Sequence, residues 1–134
     1  MASRSLDDCA FPLKMMAEQL FGKCAELGIP IQITRTYSTQ EEQNKLFAEG
    51  KTFMKTSLHS VVMKGGKKCS YAIDFAIMRN GRATPALKGE VMDENFSDYI
   101  AVGKMAMKIG LDWAGSWPKK KRDYRHVQIA SDAR

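Results

Sequence analysis

The chain has 134 residues, which suits one domain with one hydrophobic core, and an apolar share of 44% excludes a disordered chain. A formal charge of +6 favours an anionic partner, and no apolar run is long enough to span a bilayer. Cys9, Cys24 and Cys69 are widely spaced and form no CxxC pair, so free thiols in a reducing compartment are expected. In chain order, the opening MASRSLDDCAF lacks the hydrophobic segment of a signal peptide, so the expectation is synthesis in the cytoplasm.

Residues 12–27 read as a first helix: Leu13, Met16, Leu20, Cys24 and Leu27 recur at helical spacing, Gly28 fits the position after the cap, and Pro30 stops continuation. Residues 31–37, IQITRTY, alternate as a strand with Ile31, Ile33, Arg35 and Tyr37 on one face. Arg35 is either a packed stem with a solvated head or a carboxylate binder at the mouth of a site. Residues 38–49 read as a second helix with two overlapping capping-box patterns, Ser38–Glu41 and Thr39–Glu42; Leu46 and Phe47 are its expected buried anchors, flanked by Gln43. Residues 51–68 lack a period, and their Gly65–Gly66 pair among lysines suggests an exposed loop.

Residues 69–77, CSYAIDFAI, alternate as a strand, with Tyr71, Ile73, Phe75 and Ile77 on one face and Ala72, Asp74 and Ala76 on the other. Asp74 is out of place there, because a carboxylate is costly to bury without a partner. On spacing alone it is either a partly exposed acid or a ligand, with the small alanines leaving room for an approaching group. Arg79–Asn80–Gly81–Arg82 is a turn signal consistent with a hairpin, and residues 84–93 read as loop. A third helix starts at Asn95, with Phe96, Ile100, Gly103, Met107 and Leu111 in phase and Gly110 as terminator. Of Trp113 and Trp117 in LDWAGSW, one is expected in the core and the other is open to substrate contact. Residues 119–122 read as a solvated basic loop. A last strand from Tyr124 places Tyr124, His126 and Gln128 on one face; Asp123 joins His126 in one site only if the chain bends there.

The chain has two histidines, His59 and His126, both in polar settings that suggest access to solvent. With Asp74 they supply three ligands of the kind zinc takes, leaving a fourth position open, as catalytic zinc sites do. Hydrogen-bonded or solvated histidines are the alternative on these residues alone.

Three blocks resemble the LAS metallopeptidases of the VanY/VanX type, the zinc D-Ala-D-Ala carboxypeptidase and dipeptidase group, and most of all the small L-alanyl-D-glutamate endopeptidases that act as phage endolysins. They are TYSTQEEQNKLFAEGKT at 36–52, SLH…YAIDF at 57–75, and WAGSW…DYRHVQI at 113–129. The resemblance implies an α+β fold with a small, mainly antiparallel sheet flanked by helices in a single domain. It implies zinc on His59, Asp74 and His126, with Asp123 as general acid and base. Arg35, Tyr37, Gln43 and Trp117 then fall to substrate binding and Ser57 to support of the ligands. It further implies cleavage of a peptidoglycan stem peptide, by a monomer that reaches the cell wall after release and neither binds nucleic acid nor inserts stably in a membrane. A D-Ala-D-Ala carboxypeptidase and a non-catalytic peptidoglycan-binding module are the alternatives.

Two positions depart from the family pattern. His59 and Asp74 are further apart than the family's pair, so that an ungapped match puts Lys67 at the histidine and residues 60–68 read as an inserted loop. Ser38 stands where relatives usually carry a substrate-holding arginine; Arg35, three positions away, projects from the opposite face of a regular strand.

Overall fold

The structure, a computed structural model, describes residues 2–51, 57–63, 65–84 and 94–131, without the side chains of 94–97 and 119. The first helix, α1, spans Phe11–Glu26 and buries Leu13, Ala17, Leu20 and Cys24, the three-and-four spacing of one helical face. Its end is a Schellman motif: Gly28, at φ +72°, donates to the Ala25 carbonyl and Ile29 to the Cys24 carbonyl. The chain then enters β1, Ile31–Arg35.

The sheet is antiparallel, with β1 paired to β2 (Ala72–Arg79), β2 to β5 (His126–Ile129) and β5 to β4 (Leu111–Trp113). The short β3, Arg82–Ala83, folds back on the end of β2. Asn80 and Gly81 both take positive φ between them, as the tight hairpin turn requires. The helix α2 spans Gln40–Ala48, and its capping box uses Thr39 and Glu42 rather than Ser38 and Glu41. The third helix, α3, spans Glu94–Ile109 and ends at Gly110, φ +111°. This is the α+β architecture expected. Of the expected loop at 84–93, only Thr84 lies within the described residues.

The alternation of β2 divides the molecule. Ile73, Phe75 and Ile77 join the core with α1 and with Tyr99, Val102 and Ala106 of α3, while the opposite face of β2 carries Asp74. Several anchors differ from the sequence pattern. In α2 the buried residue is Gln43, and Phe47 is exposed; in α3 Met107 is exposed, because the stripe that meets the sheet runs through Tyr99, Val102 and Ala106. Tyr124 is buried in the core and belongs to a turn, so β5 starts two residues later than the alternation suggests.

Trp113 locks α3 to β4. Its indole fills the space beside two glycines: a Cβ on Gly103 or on Gly115 would lie 2.1 Å from ring carbons. Gly103→Ala therefore overpacks a core contact and is expected to destabilise by about 1–3 kcal/mol or more. Gly22, exposed in α1 with nothing within 4 Å of its would-be Cβ, gives the opposite sign: Gly22→Ala is expected to stabilise by about 0.5–1 kcal/mol. Urea denaturation of the two variants checks both.

All three cysteines are buried and unpaired. Burial pushes the Cys9 thiol up to about 12 and the Cys24 thiol up to about 11. Because the thiolate is the reactive form, the native protein is expected to resist a thiol reagent such as DTNB at neutral pH and to react fully only once denatured.

Candidate metal centre

The sheet register assembles one row of charged side chains. Arg35, Asp74 and His126 are Cα partners across β1, β2 and β5, so their side chains share a face. Arg35 reaches that face through a β-bulge. Ile33 pairs with Phe75 and Arg35 with Asp74, so Thr34 is an extra residue on β1. The bulge turns Arg35 away from the isoleucine face on which strict alternation put it. Its Nε–H donates to Asp74 Oδ2 at 2.9 Å, and Nη1 lies 3.4 Å from Ser38 Oγ. The two positions that a regular strand would separate therefore meet.

His59 comes from outside the sheet, on the 3₁₀ turn Leu58–Ser60. Ser57 caps that turn, its Oγ accepting the His59 backbone N–H at 3.1 Å. The His59 carbonyl accepts Ser38 N–H, and ring Nδ1 lies 2.8 Å from the Thr36 carbonyl. Ser70 Oγ, buried, lies 2.6 Å from the same carbonyl. The residues between His59 and Asp74 leave this seat undisturbed. Val62 and Lys68 form an antiparallel bridge, Met63 donates to Lys67 O, and Gly65 and Gly66 take positive φ between them. Cys69 N–H then bonds to Val61 O and Tyr71 N–H to Leu58 O, so the excursion closes on itself like a hairpin.

One ligand atom each from His59, Asp74 and His126 lie within 4.8 Å of one another. Both histidines are more buried than their polar sequence settings suggest, at 1% and 14% side-chain exposure. The His59 ring donates from Nδ1 to Thr36, since a carbonyl only accepts, and this directs Nε2 inward. Nε2 is buried without a hydrogen bond and faces Asp74 Oδ1 at 3.3 Å. A bare nitrogen lone pair and a carboxylate oxygen so placed repel, so the pair calls for a proton on Nε2 or a metal ion between them. A tetrahedral zinc shell with bonds of about 2.0–2.2 Å sets neighbouring ligand atoms about 3.3 Å apart. The donor set fits a metal.

Burial pushes the Asp74 carboxyl up, but the His126 and His59 imidazoles outweigh it and hold it well below the usual carboxylate range. Burial likewise pushes His126 down, and the Asp74 carboxylate 2.8 Å from Nδ1 more than reverses this, with smaller help from Gln128 and Asp123. His126 Nδ1 and Asp74 Oδ1 thus face each other at a distance that a shared proton or a cation can bridge.

The other expected site residues fall at varied distances from this centre. Tyr124 and Arg125 form a turn after Asp123; the Asp123 carboxylate is exposed, Oδ1 accepts Arg125 N–H at 3.0 Å, and its charge makes a small contribution to the upward shift of His126. Trp117 stands with its ring centre 5.8 Å from that of His126, whereas Trp113 is in the core. Tyr37 is buried with Lys68 Nζ 5.3 Å above its ring, and Gln43 is buried on α2. Sequence reasoning missed Thr36, Ser70, Asp112 and Gln128. Only Gln128 carried a signal, its alternation with His126.

The α+β fold thus carries, on the polar face of its sheet, a His–Asp–His cluster that could hold a metal ion. No family model matches the chain. It is 28% identical over 120 residues to the peptidoglycan L-alanyl-D-glutamate endopeptidase CwlK of Bacillus subtilis, covering 87% of this chain and 71% of that protein. Its fold is similar to that of the Serratia marcescens L-Ala D-Glu endopeptidase ChiX, with a TM-score of 0.69 at 15% identity, over 97% of this chain and 89% of the other. The LD-carboxypeptidase LdcB gives a TM-score of 0.56 at 14% identity, over 96% of this chain and 63% of the other. At 15% and 14% identity, the likeness to these two solved structures is one of fold.

Dialysis against a divalent transition metal ion is expected to leave about one ion per chain at this cluster. At a hundredfold excess over Kd the ion should stabilise the fold by about 2.7 kcal/mol. His59→Ala and His126→Ala are each expected to remove both the ion and the added stability, read as metal content and thermal midpoint.

Proposed function

We propose that this protein is a zinc-dependent L-alanyl-D-glutamate endopeptidase acting on peptidoglycan stem peptides. The observation that carries the reading is the similarity to CwlK over 87% of the chain, joined to a metal-competent cluster made of both histidines and Asp74. Zinc at His59, Asp74 and His126 would supply a Lewis acid for the scissile carbonyl and acidify a water at neutral pH.

The chain's own groups supply the rest. Asp123, its carboxylate steadied by the Arg125 N–H, takes the proton of the attacking water and returns it to the leaving amine nitrogen, as general base and then acid. Arg35 holds Asp74 through Nε, and the end of its guanidinium is offered to a substrate carboxylate in place of the arginine replaced by Ser38. Trp117 walls the site beside His126, Tyr37 and Gln43 are assigned to substrate binding, and Ser57 holds the His59 turn. The charge of +6 suits an anionic cell wall, and no helix among the described residues is long and apolar enough to cross a membrane. Action as a monomeric, endolysin-like enzyme that reaches the wall after release completes the reading.

Digestion of purified peptidoglycan followed by amino-terminal labelling tests it. New D-Glu amino termini are expected; release of terminal D-Ala would assign a carboxypeptidase instead. Asp123→Ala is expected to retain zinc and lose about 10²–10⁴-fold in kcat. Undiminished turnover in that variant removes Asp123 from the reaction.

A further inference from the structure

We propose that Asp112 and Gln128 form a positioning relay that keeps the proton of His126 on Nε2, so that Nδ1 is the nitrogen offered to the metal. The inference rests on the zinc reading of the His59–Asp74–His126 cluster and deepens it.

Asp112 and Gln128 are Cα partners across β4 and β5, and Gln128 lies two residues beyond His126 on the same strand, so all three side chains share the site face. The chain of hydrogen bonds has only one consistent direction. Trp117 Nε1–H, which can only donate, bonds to Asp112 Oδ1 at 2.9 Å. The Gln128 amide nitrogen donates to Asp112 Oδ2 at 3.5 Å. A carboxylate only accepts, so this contact decides which end of the amide turns towards it. Gln128 Oε1 is left facing His126 Nε2 at 2.8 Å. An amide oxygen also only accepts, so Nε2 must carry hydrogen, and Nδ1 is the nitrogen turned towards Asp74 Oδ1.

His59 is set the opposite way, with Nδ1 donating to Thr36 O and Nε2 facing the cluster. The two imidazoles would thus be offered to a metal through different nitrogens, each fixed by an acceptor behind it. Ala72, the β2 partner of Gln128, is fully buried and adds no polar group to the relay.

The test compares the full chain, zinc-loaded, with Gln128→Leu, Asp112→Asn and the double variant Asp112→Asn/Gln128→Glu. Long-range ¹H–¹⁵N correlation reads which ring nitrogen of His126 is protonated. Nε2 is expected; a proton on Nδ1 in the unaltered chain overturns the relay. Zinc affinity is read by competition with a chromophoric chelator. Gln128→Leu removes the acceptor, and Asp112→Asn presents an amide nitrogen that turns the Gln128 amide end for end. Each is expected to weaken zinc binding roughly 10–100-fold. The double variant places a donor at 112 and an acceptor-only group at 128, restoring the direction of the chain, and is expected to recover to within a few-fold of the unaltered protein. Affinity unchanged in both single variants overturns the relay while leaving the metal site standing. No zinc bound by the unaltered chain overturns the underlying metal reading instead. Should Gln128→Leu fail to fold, the near-isosteric Asp112→Asn and its rescue decide the matter.

Discussion

Asp74 is a carboxylate on the central strand of a small sheet, and the polar face of the molecule is arranged to keep it charged. Removing a carboxylate from water costs several kcal/mol unless hydrogen bonds and opposite charge offset it. Here the offsets come from three directions: Arg35 from β1, His126 from β5 and His59 from the turn before β2. Arg35 takes Oδ2, and both imidazoles crowd Oδ1. That division leaves Oδ1 as the atom directed into the ligand cluster. The same geometry that satisfies a buried charge therefore gathers three groups that could hold a cation.

Two departures from regular structure make this possible. The extra residue at Thr34 inverts β1 after Ile33, so the strand packs Ile31 and Ile33 into the core and still delivers Arg35 to the opposite face. The excursion between Val61 and Cys69 returns to its starting point through backbone hydrogen bonds, so its length is not transmitted to His59. A loop closed at its base costs little conformational entropy to lengthen. The histidine seat depends on Thr36, Ser38 and Ser57, all of which lie before that excursion.

The apolar side is built for rigidity. Trp113 lies against Gly103 and Gly115, which fixes α3 on β4, and its indole N–H is satisfied by the Tyr124 carbonyl. The Tyr124 turn in turn sets where Asp123 leaves the chain and where His126 enters the sheet. Core packing and site geometry are thus coupled through one short segment, which suits a site whose ligands must be held closely.

Much of this was legible along the chain. Helical spacing and the Gly28–Pro30 stop marked α1; strict alternation marked β2 and set Asp74 apart from Ile73 and Phe75; the scarcity of histidine made His59 and His126 the natural partners of that carboxylate. The order of these groups also carried the family resemblance. Other features were beyond local pattern. Alternation cannot show a bulge, because the extra residue is defined only by a partner strand, so Arg35 was assigned to the wrong face. Nor can periodicity tell a buried histidine from a solvated one, or distinguish Phe47 from Gln43 as the buried side chain of α2. The relay through Asp112 and Gln128 joins residues sixteen positions apart, and only the β4–β5 register brings them together. The sequence by itself determined which groups were available and which faces the helices and β2 would bury, since those follow from neighbours a few residues away. Tertiary structure alone decided which nitrogen of each histidine faces Asp74, because that depends on hydrogen-bond partners supplied by other parts of the chain.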